Sequence, residues 1–218
     1  VTLLLEDGSK WTGFSFGYEG NVDGEIVFNT GMVGYPESLT DPSYHGQFLI
    51  STYPLVGNYG VPDEQVVDKW GLRSFVESEK IWASAFLAQD YSHAESHWNS
   101  NKSLSQWLIE QKVPGIYGLD TRALTKRIRE RGAMLARISF EPKHTLESGA
   151  TDTTTFDNPN KRNLIAEVSN TEVKIYGKGN PVKILAVDCG IKNNMIRHLC
   201  ERDCEVKLVP WNHDITKE

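Results

Sequence analysis

At 218 residues, 39% of them hydrophobic and with six Trp and eight Tyr, the chain has material for one large domain, or for a domain of about 150 residues and part of a second. Its 29 acidic against 23 basic side chains give a net charge of −6, which argues against a nucleic-acid partner, whose phosphates demand a basic surface. No apolar run approaches the roughly 20 residues that span a bilayer, so no membrane partner is expected and small molecules or proteins are favoured.

Thr2–Leu5, the Asp7-Gly8 pair and Trp11–Phe16 read as two strands joined by a tight turn, so a β-hairpin opens the chain. Val22–Asn29 and Gln47–Tyr53 read as the third and fourth strands. Between them, Gly31, Gly34, Pro36, Pro42 and Gly46 punctuate a stretch rich in hydroxyl and amide groups: Asn29, Thr30, Ser38, Thr40, Asp41, Ser43 and Tyr44, with His45 beside them. Such punctuation predicts turns rather than regular structure, and polar loops held by rigid strands are where binding groups tend to sit. Next come a Gly57–Gly60 turn, a short helix over Gly71–Glu77 and a buried strand over Ile81–Ala88, whose residues show no polar alternation.

Ser103-Leu104-Ser105-Gln106 has the spacing of a capping box, in which hydroxyl and amide side chains satisfy each other's backbone N–H. A helix therefore starts at Leu104 and ends at Lys112–Gly115, and Ile116–Leu119 gives a short strand. Asp120 caps a second helix, with Leu119 and Leu124 at the staple positions and Gly132 as its stop. Arg122, Lys126, Arg127, Arg129 and Arg131 make the other faces of this helix basic. A solvated charged face is the plain reading of that stripe, and docking to an acidic partner is the other.

Met134–Phe140 reads as a strand, and Glu141–Asn160, without periodicity, as a loop or linker. Asn163–Val168 and Glu172–Tyr176 read as two short strands closing the first domain before the break at Gly177–Pro181. After that break Lys183–Val187, Lys192–Arg202 and Glu205–Val209 form a β-α-β pattern, the opening of a parallel α/β unit. One such unit cannot bury both faces of its sheet, so it is expected to dock on the first domain or to belong to a longer α/β domain.

Candidate reactive residues weigh up as follows. Cys189 sits on a turn after a strand, but a nucleophile elbow needs glycine two residues to either side and Val187 stands in that place, so a small packed residue is expected. Cys200 and Cys204 lack ligands at zinc spacing, and three cysteines without framework spacing fit a reducing compartment. His93 and His97 are four apart, a metal-ligand spacing on a helix, yet their neighbours Asp90-Tyr91-Ser92 and Asn99-Ser100-Asn101 read as loop, so no metal is expected. His198 and His213 read as surface or packing residues. Ser43, fixed by Pro42 and crowded by Asp41 and Tyr44, is aimed outward; local chemistry makes it a turn-stabilising serine or a ligand contact.

The stretches GEIVFNTGMVGYPESLTDPSY (Gly24–Tyr44), TYPLVGNYG (Thr52–Gly60), GLDTRALTKRIRERG (Gly118–Gly132) and VDCGIKNNMIRHL (Val187–Leu199) resemble the small subunit of glutamine-dependent carbamoyl phosphate synthetases, or the equivalent N-terminal region of the fused eukaryotic enzymes. The resemblance implies an α/β fold: a swivelling β/β/α N-terminal domain over residues 1–180, then the first β-α-β unit of a truncated class I glutamine amidotransferase domain over 181–218. It implies a glutaminase unit that docks to a synthetase portion and delivers ammonia for ATP-dependent synthesis of carbamoyl phosphate from bicarbonate. A non-catalytic interaction module, or part of an ammonia-dependent synthetase, is the alternative.

On the same resemblance, the Cys-His-Glu triad lies outside these residues, and the isolated chain is expected to be inactive. No cofactor is expected here; ATP and Mg belong to the synthetase portion. Ser43, the serine of the DPSY motif, is implied to contact the substrate glutamine. The basic helix Thr121–Arg131 is the candidate contact with the synthetase portion. A cytoplasmic location is expected, with the mitochondrial matrix as the alternative.

Overall fold

The computed structural model describes residues 1–140 and 155–217. The predicted linker Glu141–Asn160 lies largely outside these described residues. The chain is mixed α/β, with an eight-stranded sheet, a two-stranded ribbon and a separate three-stranded sheet. In chain order the first part runs β1 (Thr2–Leu5), β2 (Lys10–Thr12), β3 (Phe14–Ser15), β4 (Val22–Asn29), α1 (Tyr35–Leu39), β5 (Gln47–Ser51), β6 (Leu55–Val56), β7 (Ala85–Leu87), β8 (Asp90–Tyr91), α2 (Leu104–Glu110), β9 (Gly115–Tyr117), α3 (Thr121–Arg131) and β10 (Met134–Ser139). There follow α4 (Leu164–Val168), β11 (Lys174–Tyr176), β12 (Val182–Asp188), α5 (Asn193–Cys200) and β13 (Cys204–Pro210).

The opening hairpin forms as expected, with Leu5 N–H bonded to the Ser9 carbonyl at 2.9 Å and Gly8 at φ 84° in its turn. The predicted second strand, however, splits at Gly13. β2 pairs with β1 at one end of the order β2-β1-β10-β4-β5-β7-β9-β3, and β3 pairs with β9 at the other. Since one residue joins them, the two edges of the sheet meet at Gly13 and the sheet curls back on itself. A Cβ at Gly13 would lie 2.4 Å from the Tyr117 carbonyl oxygen, so closure requires glycine there.

The central strands β4, β5, β7 and β9 run parallel, flanked by antiparallel neighbours. Covered on both faces, they carry unbroken apolar runs such as Phe48-Leu49-Ile50, all three buried. Leu3, Ile26, Phe48, Ile50, Leu87 and Ile116 face inward with Leu124 and Ile128 of α3. Leu49 and Phe86 point the other way, against Leu39 of α1 and Leu104, Trp107 and Leu108 of α2.

Several local expectations need correction. The polar stretch after β4 contains α1 and a 3-10 turn at Pro42–Tyr44, because Pro36 and Pro42 each occupy a first-turn position, where the missing N–H costs nothing. The capping box at Ser103 is half made: Ser103 Oγ accepts from Gln106 N–H at 3.1 Å, but the Gln106 amide reaches forward to Glu110 at 3.0 Å. Gly71–Glu77 is not helical; the Asp68 carboxylate takes the N–H groups of Trp70 and Leu72, and Gly71 at φ 77° completes a tight loop. Asn163–Val168 is a helix rather than a strand, since Asn163 Oδ1 caps Ala166 N–H at 3.1 Å. Of Ile81–Ala88 only Ala85–Leu87 enters the ladder, although Ile81, Ala83 and Ala88 are also buried. β11 joins the second sheet, antiparallel to β13, and does not close the first.

The β-α-β reading holds: β12 and β13 are parallel, in register from Val182 opposite Cys204, with α5 between them. α5 and β13 bury Ile196, Cys200, Val206 and Leu208 against Leu72 and Trp70 of the first part. The remaining face of this sheet leaves Ile175, Leu185 and Val187 exposed.

Candidate functional site

Where the two parts of the chain meet, two turns face each other. On the first, Asp41 N-caps the 3-10 turn: its Oδ1 accepts from Ser43 N–H at 2.9 Å, and Pro42 fixes the approach. The backbone of Ser43 is thereby held while its side chain is exposed. Tyr44 turns inward, its hydroxyl accepting from Asn29 Nδ2 at 3.3 Å, and burial raises its pKa, the neighbouring Asp41 adding to the effect.

The opposing turn follows β12. The buried Asp188 carboxylate accepts from the N–H groups of Gly190 at 2.9 Å, Ile191 at 3.0 Å and Asn170 at 2.9 Å, so one side chain fixes the turn and ties it to the segment after α4. Gly190 stands at φ 96°, and a Cβ on it would lie 3.0 Å from Pro42 Cβ and 3.1 Å from Val168 Cγ2. The two turns are therefore in van der Waals contact through Pro42 and Gly190. Lys192 Nζ spans the same gap to Asp41 Oδ2 at 3.3 Å.

A second layer of bonds runs behind these turns. Thr40 Oγ1 accepts from Glu77 N–H at 2.9 Å, and Ser78 Oγ donates to the Thr40 carbonyl at 2.6 Å. Glu77 in turn accepts from the first N–H groups of α5. Farther along α5, Arg197 Nε donates to Asp68 Oδ2 at 2.9 Å and its Nη2 to the Arg73 carbonyl at 2.9 Å. Burial opposes ionisation of Asp68, yet the hydrogen bonds from Arg197, Leu72 and Trp70 outweigh it and hold the carboxyl below the usual range.

α4 is tied to the same edge. Glu167 Oε2 and His45 Nε2 are 2.6 Å apart, and this hydrogen bond, aided by Arg162, lowers the Glu167 pKa. His45 also meets the Trp82 ring edge-on.

Of the residues the sequence singles out, Ser43 lies at this junction, and Cys189 lies opposite, between Asp188 and Gly190. Cys189 is exposed, which corrects the expectation of a packed residue; the Asp188 turn projects it outward. Cys200 and Cys204 are buried and unbonded to each other. His93 and His97 do not share a helix face: His93 lies edge-on to Tyr91 and Tyr117, and His97 lies edge-on to Tyr59 in a separate groove of ≈ 530 Å³ that Glu37 also lines. His198 sits on α5 beside Glu201 and Asn194. In the basic helix, Arg127 and Arg131 bond Asp7 of the opening hairpin at 2.6 and 3.2 Å, and Arg122, Lys126, Arg129 and Arg131 are exposed.

Sequence reasoning placed Thr40 in the polar stretch and Cys189 on a turn, but missed what Thr40 and Asp188 bond, and missed Glu77 and Lys192 altogether. Asp188 had a local signal, an acid followed by Cys-Gly at a strand end, which is an Asx turn. The others had none, because their partners lie far away in the chain. No helix among the described residues is long and apolar enough to cross a membrane.

Comparison with known proteins bears on the whole chain. The family described as carbamoyl-phosphate synthase small chain, CPSase domain, matches residues 3–138. "Carbamoyl-phosphate synthase [ammonia], mitochondrial" of Aquarana catesbeiana is 55% identical over 218 residues, covering 100% of this chain and 14% of that protein. "Multifunctional protein CAD" of Squalus acanthias is 48% identical over 213 residues, with 98% and 9% covered, and "Multifunctional protein URA2" of Saccharomyces cerevisiae is 44% identical over 242 residues, with 100% and 11% covered. The chain thus spans a small part of the length of the relatives it matches. An aminopeptidase from Aneurinibacillus sp. strain AM-1 superposes at a TM-score of 0.34 with 12% identity, over 96% of this chain and 48% of that one, too loosely to bear on the fold. The chain belongs to the carbamoyl-phosphate synthase small chain family.

Proposed function

We propose that this chain is the N-terminal part of the glutaminase unit of a carbamoyl phosphate synthetase, a ligase, and that Ser43 helps bind the glutamine whose amide nitrogen becomes carbamoyl phosphate. Residues 1–180 act as the swivelling β/β/α domain, with β11 contributed to the sheet of the second unit, and 181–218 as the first β-α-β unit of a class I amidotransferase domain. The observation that carries the reading is the placement of Ser43: its backbone is pinned by Asp41, its hydroxyl is exposed, and its turn rests on the turn at the carboxyl end of β12. In parallel α/β sheets, ligands sit at the carboxyl ends of strands, and a hydroxyl there can both donate to and accept from an amide. The exposed apolar face of Ile175, Leu185 and Val187 supports further α/β layers packing on this unit.

The chemistry divides accordingly. Covalent glutamine hydrolysis needs a thiolate and a base at an elbow, and we assign that triad, with the ATP and Mg sites of the synthetase portion, to parts of the whole protein outside this chain. Ser43→Ala in the full-length enzyme is expected to raise the glutamine KM about tenfold, equivalent to about 1.4 kcal/mol, while ammonia-supported synthesis stays unchanged. An unchanged glutamine KM would overturn the reading.

A second reading has its own support: the frog relative named for ammonia is 55% identical, against 48% for the shark multifunctional protein. In that case the whole protein draws on free ammonia. Supplying either glutamine or an ammonium salt as sole nitrogen donor separates the two readings. The same choice bears on location, cytosolic for the multifunctional type and the mitochondrial matrix for the ammonia type.

A further inference from the structure

The residue at the N-cap of the second unit's helix is a poor one for that place. α5 is preceded by Lys192 as its N-cap, and Lys192 makes no side-chain capping bond. A cation there is opposed by the positive end of the helix dipole, and the N–H groups of the first turn need acceptors. The Lys192 ammonium is directed instead across the gap to Asp41, 3.3 Å away, beside the Ser43 turn.

The missing acceptors come from the other unit. The Glu77 carbonyl accepts from Asn193 N–H at 2.9 Å, and Glu77 Oε2 accepts from Asn194 N–H at 2.9 Å. The neighbouring Val76 carbonyl accepts from the buried Asn193 Nδ2 at 3.1 Å. The N–H of the same Glu77 donates to Thr40 Oγ1, and Thr40 directly precedes Asp41. Glu77 is therefore bonded on one side to the residue that leads into the Ser43 turn, and on the other to the helix that leads out of the Asp188–Gly190 turn.

We propose that Glu77 is a positioning residue that caps α5 across the unit boundary and so sets the Ser43 turn against the end of β12. It touches no substrate; its side chain holds Asn194, while its backbone N–H and carbonyl hold Thr40 and Asn193. This inference rests on the glutamine-site reading of Ser43 for its catalytic consequence, but not for its structural one.

The test uses the full-length enzyme with Glu77→Ala, Glu77→Asp and Glu77→Gln. Glu77→Ala is expected to raise the glutamine KM about tenfold with kcat little changed and ammonia-supported synthesis intact. Glu77→Asp keeps the charge but falls one methylene short of Asn194, so it should behave like Glu77→Ala; it also serves if the alanine variant does not fold. Glu77→Gln keeps an acceptor oxygen at the same reach and should restore the KM. Amide hydrogen exchange gives the readout that does not depend on substrate: in Glu77→Ala the amide of Asn194, which loses its acceptor, and that of Ser43, across the boundary, should both exchange faster.

Faster exchange confined to α5 would reduce Glu77 to an ordinary cap and overturn the proposal, as would an equal loss of ammonia-supported synthesis. If Ser43→Ala leaves KM unchanged while Glu77→Ala still loosens both turns, the glutamine reading fails and the clamp stands. If Ser43→Ala raises KM and Glu77→Ala changes neither KM nor exchange, the clamp fails alone.

Discussion

Helices α3 and α5 begin in opposite ways. α3 carries its own start and stop: Asp120 Oδ1 accepts from Ala123 N–H at 2.8 Å, Leu119 and Leu124 are buried on either side of the cap, and Gly132 ends the helix at φ 91°. α5 begins after a lysine that does not cap it and takes its acceptors from Glu77 in the other unit. The start of the first helix is fixed by its own stretch of sequence, that of the second by contact between units. A helix of the first kind makes a scaffold, whereas one of the second kind reports how two units sit together. The candidate site lies beside the second.

The comparison breaks most visibly if α3 is not the keystone of the inner face. Leu124→Ala should cost about 2–5 kcal/mol, because a buried leucine packed between α3 and the curled sheet leaves a cavity that closed strands cannot collapse to fill. In urea the midpoint should fall with the slope unchanged. A loss below about 1 kcal/mol would mean that α3 can be repacked and is no scaffold. The next effect is smaller: Asp120→Ala should cost about 1 kcal/mol, with exchange accelerated at Ala123 and unaltered at Asn193 and Asn194. Equal loosening of α5 would erase the distinction between a locally and a remotely capped helix.

The same distinction explains what the sequence disclosed. Asp120, Gly132 and the apolar spacing of Leu124 and Ile128 are signals within one helix, and they placed α3 correctly; the β-α-β of the second unit was legible for the same reason. Gly71–Glu77 failed because Asp68 spends its carboxylate on the backbone of Trp70 and Leu72 and on Arg197, a partner 129 residues away. Asn163–Val168 failed because its apolar residues were read as strand while Asn163 was a cap. The split at Gly13 was hidden since it depends on the Tyr117 carbonyl coming near, a consequence of barrel closure rather than of local preference. At the site, the Asp-Pro-Ser-Tyr turn could be seen from its own residues. The Glu77–Asn194 bond, 117 residues apart, could not.

The smallest effect sharpens the scaffold side of the comparison. Asp7 of the opening hairpin accepts from Arg127 Nε at 2.6 Å and Arg131 at 3.2 Å, tying the last turns of α3 to β1 and β2. Burial would raise the Asp7 carboxyl, but hydrogen bonds from Ser9 and Arg127 outweigh it and lower the value from 3.8 to about 2. A carboxyl whose folded pKa is depressed contributes stability that is present above its unfolded pKa and is lost as pH falls through the folded one. The window is thus about pH 4 down to about pH 2. Solvent near the arginines screens the pair, so the contribution is about 0.5–1 kcal/mol. Asp7→Asn should therefore be less stable than the unsubstituted protein by that amount near neutrality, and the gap in urea midpoint should close as the pH approaches 2. A gap that persists at pH 2 would assign the loss to the Ser9 turn rather than to charge. α3 would then hold the hairpin by packing alone, and its last turns would be as independent of distant partners as its first.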